Sequence, residues 1–228
     1  QGTSLNGTRV VDGSIITQNL ALWLDANNAN SYSGSGTTVN DLSGNSYTHA
    51  LTSSGIYTVL NGVKCFDCTS TGQLTVSVTG PLLPSTGFTY IAWARMNSSS
   101  AGYRTLWRTT PNDHPLLIAT GTDNLGMWDN DSAGFATANY SVTGMATTWV
   151  HWAVTGNSTS QTFYIDGQQV GTSNYGAGGN RHNEIGNTGS GQPFGYVATA
   201  FLYSSILSQE QIKQNYYGSR SQFGTLTF

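Results

Sequence analysis

Charged side chains are scarce in this chain. Only 8% of its 228 residues are Asp, Glu, Lys or Arg, against about 25% in an average soluble protein. The eight Lys and Arg residues form no basic run, and the formal net charge is −3, so we expect no nucleic-acid partner. The surface must be built from Ser, Thr, Asn, Gly and Gln, which favours a location on a virion surface or in the extracellular space.

Long apolar runs and paired acids are missing as well. No apolar stretch approaches the roughly 18 residues of a spanning helix, so we expect no membrane span. The two glutamates are Glu184 and Glu210, and no acids alternate along a strand pattern, whereas glycoside hydrolysis requires two opposed carboxylates. No nucleophile-elbow motif occurs. The sequence therefore predicts a protein that is not an enzyme and disfavours a glycanase.

Cysteine is limited to Cys65 and Cys68. Their C-x-x-C spacing lacks the second ligand pair of a zinc site and the βαβ context of a thioredoxin-like motif. Two alternatives remain, which are a local disulfide between them or two free thiols in a strand. Because positions i and i+3 of a strand point to opposite faces, the disulfide would require a bulge or bend.

The clearest structural pattern lies in residues 147–170. Apolar and polar residues alternate with a period of two at 149–154 and again at 163–166. A polar turn separates the two runs, and a tight Asp166-Gly167 turn follows the second. This pattern predicts a β-meander with large aromatic residues in a sheet core.

The remaining sequence consists mainly of short strand candidates divided by turn residues. Only residues 208–216 have helical character, with Ser208 as N-cap and Gln211 completing a capping box. We therefore predict an all-β fold, an antiparallel two-sheet jelly-roll sandwich with one short C-terminal helix. Residues 1–18 are predicted to be an N-terminal arm or lead-in strand, and residues 19–228 a single domain.

Several motifs occur in a consistent order along about 200 residues, and that order is specific for a fold. They are LALWLDANN at 20–28, NDLSGN at 40–45, NGVKCFD at 61–67, FTYIAWAR at 88–95, WVHWAV at 149–154, FYIDGQQV at 163–170, IGN at 185–187 and PFGY at 193–196. Together they resemble the laminin-G-like, concanavalin A-like lectin jelly rolls of phage and viral structural proteins. Cys68 stands where that family usually has Gly, and Ala198-Thr199-Ala200 occupies a stretch where an acidic residue is usual.

The resemblance implies a surface protein that binds or displays. The first expectation is a non-enzymatic virion or extracellular structural protein of the fibre, decoration or capsid-surface type, assembled as a homo-oligomer. Its arm would dock onto another copy or another structural subunit. The alternatives are a carbohydrate-binding lectin or adhesin module that recognises cell-surface glycans, and a subunit of an extracellular filament whose arm adds a strand to a neighbour.

Glycan binding commonly uses an exposed aromatic ring together with amide or carboxylate groups that bind hydroxyls. Trp128 beside Asp129 is the best candidate for such a platform. The predicted glycan-binding residues are Tyr103, Trp107, Trp128, Asp129 and Asn130.

Calcium is the candidate cofactor, because hard cations are bound by several oxygen ligands. The candidate ligands are Asp123, Asp129 and Asp131, and the alternative interpretation is that these residues cap turns. If the protein is a eukaryotic secretory product, Asn97 and Asn157 are the expected glycosylation acceptors.

The histidines are expected to have structural rather than catalytic roles. His151 lies within a strand pattern and is predicted to sit in the sheet core or on a sheet face. His114 and His182 are predicted to be solvated in loops.

Overall fold

The computed structural model describes residues 14–98, 102–111, 113–131, 134–187 and 191–223. Within these residues, sixteen strands form two antiparallel sheets of eight strands each. The predicted all-β two-sheet sandwich is confirmed.

The first sheet, called the front sheet, contains the long central strands. In spatial order its members are β14 (Gln168–Ser173), β13 (Gln161–Ile165), β12 (Trp149–Gly156), β7 (Phe88–Met96), β16 (Gly195–Tyr203), β5 (Val63–Cys68) and β4 (Tyr57–Leu60), with β1 (Leu20–Asp25) also paired to β16.

The second sheet, called the back sheet, carries the shorter strands. In spatial order its members are β11 (Gly134–Ser141), β10 (Asn124–Asp129), β9 (His114–Ile118), β8 (Arg104–Thr110), β15 (Arg181–Ile185), β6 (Leu74–Val76), β3 (His49–Leu51) and β2 (Thr38–Val39). The helical elements in the described residues are α1 (Gln209–Ser219) and two 3₁₀ turns, Ser54–Ile56 and Arg220–Gln222.

The predicted meander is formed by β12, β13 and β14. Asp166 and Gly167 both have positive φ, 49° and 79°, as a two-residue hairpin turn that follows the strand twist requires. At the other end, the Asn157 side chain accepts hydrogen bonds from the backbone N–H groups of Thr159 and Ser160. Turn chemistry visible in the sequence thus sets the register of this hairpin series.

Alternation along β12 separates two apolar layers. Trp152 points into the core between the sheets, where its Nε1 donates to the Ala94 carbonyl at 3.1 Å. His151 points to the outer face of the front sheet and is fully buried, with its ring centroid 5.4 Å from that of Trp93 and 5.6 Å from that of Tyr216. The placement of His151 within the sheet is therefore confirmed.

Helix α1 covers this outer face. Ser208 accepts from the Gln211 N–H, and the Gln211 side chain accepts from the Ser208 N–H, so the predicted capping box is confirmed. Leu207 and Ile212 are both buried in the cluster beneath the helix. No helix among the described residues is long and apolar enough to span a bilayer.

Most of the predicted arm, residues 1–13, lies outside the described residues. The described part, residues 14–18, contacts α1 of the same chain. Asn215 Oδ1 accepts from the Ile16 N–H at 2.7 Å, and Gln214 Nε2 donates to the Ser14 carbonyl at 3.1 Å. Docking of the arm onto another subunit stays a prediction.

The disulfide alternative for Cys65 and Cys68 is wrong, because both are free thiols. The two residues lie in one regular strand, β5, so their side chains point to opposite faces. Cys68 belongs to the core between the sheets, whereas Cys65 belongs to a separate cluster with Val63 and Ala198.

Candidate functional site

A pocket of about 170 Å³ opens on the outer face of the back sheet. Leu117 and Trp128 line it, whereas their sequence neighbours Leu116 and Met127 belong to the core on the opposite face. The full lining consists of Tyr103, His114, Leu117, Trp128, Asn130 and Gln192. Three of these six, Tyr103, Trp128 and Asn130, were predicted from the sequence as glycan-binding residues.

Two aromatic rings form a corner of the pocket. The Tyr103 and Trp128 ring centroids are 5.1 Å apart with an interplanar angle of 72°, and Phe135 lies 6.4 Å from Tyr103. Trp128 Nε1 donates to Asn130 Oδ1 at 3.1 Å, which fixes the orientation of the indole. The two rings thus present an apolar ring face and a ring edge to the same small volume.

A chain of hydrogen bonds forms the polar side of the pocket. The Thr105 hydroxyl donates to Gln192 Oε1 at 2.6 Å and lies 2.9 Å from His114 Nδ1. Because the single hydroxyl proton goes to Gln192, the second contact must be donated by His114 Nδ1–H. Burial, with a smaller contribution from the Arg108 charge, lowers the pKa of His114 to about 4. His114 is therefore neutral at physiological pH.

Asp113 anchors the turn that carries Asn130. Its Oδ1 accepts from the Asn130 N–H at 3.0 Å, and its Oδ2 accepts from Asn180 Nδ2 at 2.6 Å. Burial raises the pKa of Asp113, and the charges of Asp129 and Asp131 raise it further. The three carboxylates thus lie near enough to interact electrostatically.

Trp107 is not part of this site, so its prediction as a glycan-binding residue is wrong. Its side chain is 0% exposed and stacks on Tyr90 with ring centroids 4.2 Å apart. A register shift in β8 between Thr105 and Trp107 turns it into the core. Asp129 ends β10 next to Trp128 and does not line the pocket, and its Oδ1 accepts from the Asp131 N–H at 2.8 Å.

The predicted calcium ligands are not brought together. Asp123 precedes β10 and Asp129 ends it, and a strand rises about 3.3 Å per residue, so the two carboxylates lie at opposite ends of the strand. Asp123 is also ion-paired with Arg104. Among the described residues, no group of three His, Cys, Asp or Glu side chains could hold a metal. The prediction of this calcium set is therefore wrong, and the alternative of turn chemistry fits Asp129.

The two predicted glycosylation acceptors have different surroundings. Asn97 is half-buried, and its Nδ2 donates to the Thr69 carbonyl at 3.3 Å. Asn157 accepts the turn hydrogen bonds through Oδ1, so its side-chain nitrogen is not the atom that caps the turn. Glycosylation at either residue stays a prediction, and Asn157 is the better placed.

Sequence reasoning missed the polar half of the pocket. His114 and His182 were expected in solvated loops, but they lie in strands β9 and β15 and are buried. Leu117 and Gln192 were not singled out. The apolar run after His114 was the one available signal that this residue begins a strand, while Gln192 is far from β9 in sequence and is positioned only by the tertiary fold.

The chain belongs to the concanavalin A-like lectin/glucanases superfamily. A laminin G model of that superfamily matches residues 69–213, which is more than half of the chain. A search of curated proteins found no match.

Solved structures share the architecture at low identity. Trypanosoma rangeli sialidase aligns with a TM-score of 0.65 and 15% identity over 93% of this chain and 34% of the sialidase chain. The receptor binding domain of botulinum neurotoxin C/D mosaic serotype aligns with a TM-score of 0.65 and 16% identity over 90% of this chain and 52% of that chain. The binding domain of Paraclostridial Mosquitocidal Protein 1 aligns with a TM-score of 0.59 and 16% identity, covering 88% and 52%. At such identities the likeness shows the fold alone.

The sialidase alignments correct one prediction. The expectation that the chain is not an enzyme is wrong as a firm exclusion, because the same fold makes up about a third of chains named as sialidases. The missing pair of alternating acids therefore does not exclude catalysis.

Proposed function

We propose that this chain is a carbohydrate-binding module and that the Tyr103–Trp128 corner is its binding site. The observation that carries the proposal is the half-exposed Trp128 ring, fixed by Asn130 and set at 72° to Tyr103 above a small pocket. A pyranose presents apolar C–H faces and polar hydroxyl edges, which match an aromatic corner with amide groups beside it. The superfamily is that of lectins and glucanases, and two of the structural neighbours are described as a receptor binding domain and a binding domain.

The rest of the outer surface offers a control for this site. Tyr175 is 42% exposed and does not line the pocket. Substitution of Tyr175 by Ala removes a comparable ring from the surface, whereas Tyr103→Ala and Trp128→Ala each remove one wall of the corner.

The experiment is a glycan array followed by calorimetric titration of the best neutral oligosaccharide. We expect Trp128→Ala and Tyr103→Ala each to weaken binding at least about tenfold, equivalent to about 1.4 kcal/mol, and Tyr175→Ala to leave it unchanged. Equal binding by all four proteins would place any glycan site elsewhere. The virion-surface and oligomer expectations stay predictions.

A further inference from the structure

We propose that the pocket selects neutral saccharides and rejects glycans that present a carboxylate to it, such as those ending in sialic acid. The inference rests on the proposed function and names the substrate class of the same site. Two independent features support it, which are the direction of the hydrogen bonds in the pocket wall and the distribution of charge around it.

Hydrogen-bond direction is fixed by Thr105. Its proton goes to Gln192 Oε1, so the Gln192 amide presents its Nε2 protons as donors. The neutral His114 ring donates its one N–H, at Nδ1, to the Thr105 hydroxyl oxygen, so its Nε2 can only accept a hydrogen bond. The pocket thus pairs one donor with one acceptor, both from side chains that line it.

A sugar hydroxyl both donates and accepts, so it can satisfy His114 Nε2 and Gln192 Nε2 at once. A carboxylate only accepts, so its oxygens can be bound by Gln192 but are opposed by the lone pair of His114. Protonation of His114 to suit a carboxylate would cost binding free energy near neutral pH, because burial lowers the pKa of its imidazole to about 4. A buried acceptor that faces another acceptor costs binding free energy.

The charges near the pocket are mostly negative. Asp113 holds the Asn130 backbone, and Asp129 and Asp131 raise the pKa of Asp113 through their charge. The cation that acts on His114 is Arg108, whose Nη1 donates to Glu184 Oε2 at 2.9 Å. The cation next to Tyr103 in sequence is Arg104, which is ion-paired with Asp123.

The segments that border the site in sequence and lie outside the described residues contain no Lys or Arg. Residues 99–101, 112, 132–133 and 188–190 are Ser, Ser, Ala, Asn, Ser, Ala, Thr, Gly and Ser. A carboxylate bound in the pocket would therefore lie near the negative charges around Asp113, while the two nearby arginines, Arg104 and Arg108, are each paired with a carboxylate. Like charges placed close together disfavour binding, so the sialylated ligand should bind more weakly than its neutral counterpart.

The test uses matched pairs on one array, in which each neutral oligosaccharide is printed beside the same structure capped with sialic acid. We expect the neutral member to bind at least about tenfold more tightly in each bound pair, with both signals lost in Trp128→Ala. Equal or tighter binding of the sialylated member, lost in Trp128→Ala, would overturn the selectivity and leave the proposed function standing. Absence of binding to every member of the array would overturn both.

A charge variant separates electrostatics from shape. Asp131 is exposed, and its backbone N–H donates to Asp129 Oδ1 in the turn, so Asp131→Asn removes the charge and keeps this hydrogen bond. We expect it to narrow the ratio of neutral to sialylated affinity about threefold at low salt. Glu210→Gln, at an exposed position of α1 on the other side of the sandwich, removes an equal charge and should not alter the ratio. An unchanged ratio in Asp131→Asn would count against the role of the acidic cluster.

Discussion

His49 Nε2 lies 3.0 Å from His182 Nε2 in the interior of the sandwich. His49 Nδ1 is 2.9 Å from the Tyr47 carbonyl, which can only accept, so His49 donates there and its Nε2 is an acceptor. His182 must therefore donate from Nε2 and accept from the Tyr90 hydroxyl at Nδ1, 3.1 Å away. The chain of bonds joins β3 and β15 of the back sheet to β7 of the front sheet, and burial keeps both imidazoles neutral near pH 7 because it lowers the pKa of each.

Mild acid should destabilise the protein. Burial lowers the pKa of His49 to about 4 and that of His151 to about 3, and it places the pKa of His182 well below its usual value. Between about pH 6.5, the usual histidine pKa, and pH 4, the unfolded chain binds protons that the native state does not. The stabilisation that depends on neutral histidines is therefore fully present above about pH 6.5 and is lost as the pH falls from about 6.5 towards 4.

The effect can be measured as the melting temperature by circular dichroism at pH 7.5 and pH 4.5. His49 alone contributes a loss on the order of 2–3 kcal/mol at pH 4.5, so we expect a fall of roughly 10 °C. Burial also raises the pKa of Asp25 and Asp166, which acts in the opposite direction and offsets part of the loss. A melting temperature that does not change from pH 7.5 to 4.5 would contradict the neutral histidine pair.

Tyr90→Phe should destabilise the fold although it removes a single oxygen. The variant leaves His182 Nδ1 buried without a donor, which costs about 1–3 kcal/mol. Denaturant unfolding at pH 7.5 gives the loss directly. Tyr217→Phe is the control, because Tyr217 is 40% exposed, and an equal effect of both substitutions would mean that the hydroxyl of Tyr90 has no special role.

Substitution of Trp107 should lower the free energy of unfolding, whereas substitution of Trp128 should lower the affinity for glycan. Trp107→Ala opens a cavity in the core and is expected to cost about 3–5 kcal/mol of stability, while glycan affinity per folded molecule is retained. Trp128→Ala should show the reverse, with a small change in unfolding free energy and a large loss of affinity. Unfolding curves and titrations on both variants check this, and a loss of binding in well-folded Trp107→Ala would show that the core tryptophan matters to the site.

The two thiols should be inert in the native protein. Burial raises the pKa of Cys65 to about 12 and raises that of Cys68 as well, and a thiol of high pKa reacts slowly because the thiolate is the nucleophile. Titration with a disulfide reagent should detect no rapidly reacting group in native protein and two in denaturant. Fewer than two groups in denaturant without reductant would indicate an oxidised pair.

The strands and the helix were predictable because their signals are local. The alternation at 149–154, the Asp166-Gly167 turn and the Ser208–Gln211 capping box each act within a few residues, and each is found in the structure. The same locality misled the assignment of Trp107, whose surroundings in sequence are polar. The register shift that turns it inward depends on pairing with β9.

The pocket was half predictable for the same reason. Trp128 and Asn130 are two residues apart and Tyr103 lies near a turn, so an aromatic ring beside polar turn residues is visible in the sequence itself. Gln192 and His114 both bind Thr105, one on each side of its hydroxyl. They lie at one site only because the segment before β16 crosses the end of β8, where Thr105 lies.

The amino-acid sequence by itself determined that this chain is a β-sandwich of low charge with one capped helix, since period-two alternation, turn residues and composition are properties of short segments. Only the tertiary structure decided which aromatic rings face outward, that Asp123 lies at the opposite end of β10 from Asp129, and that all four histidines are buried. Those outcomes depend on pairing between strands distant in sequence, and a shift of one residue in that pairing exchanges the core face of a strand for its outer face.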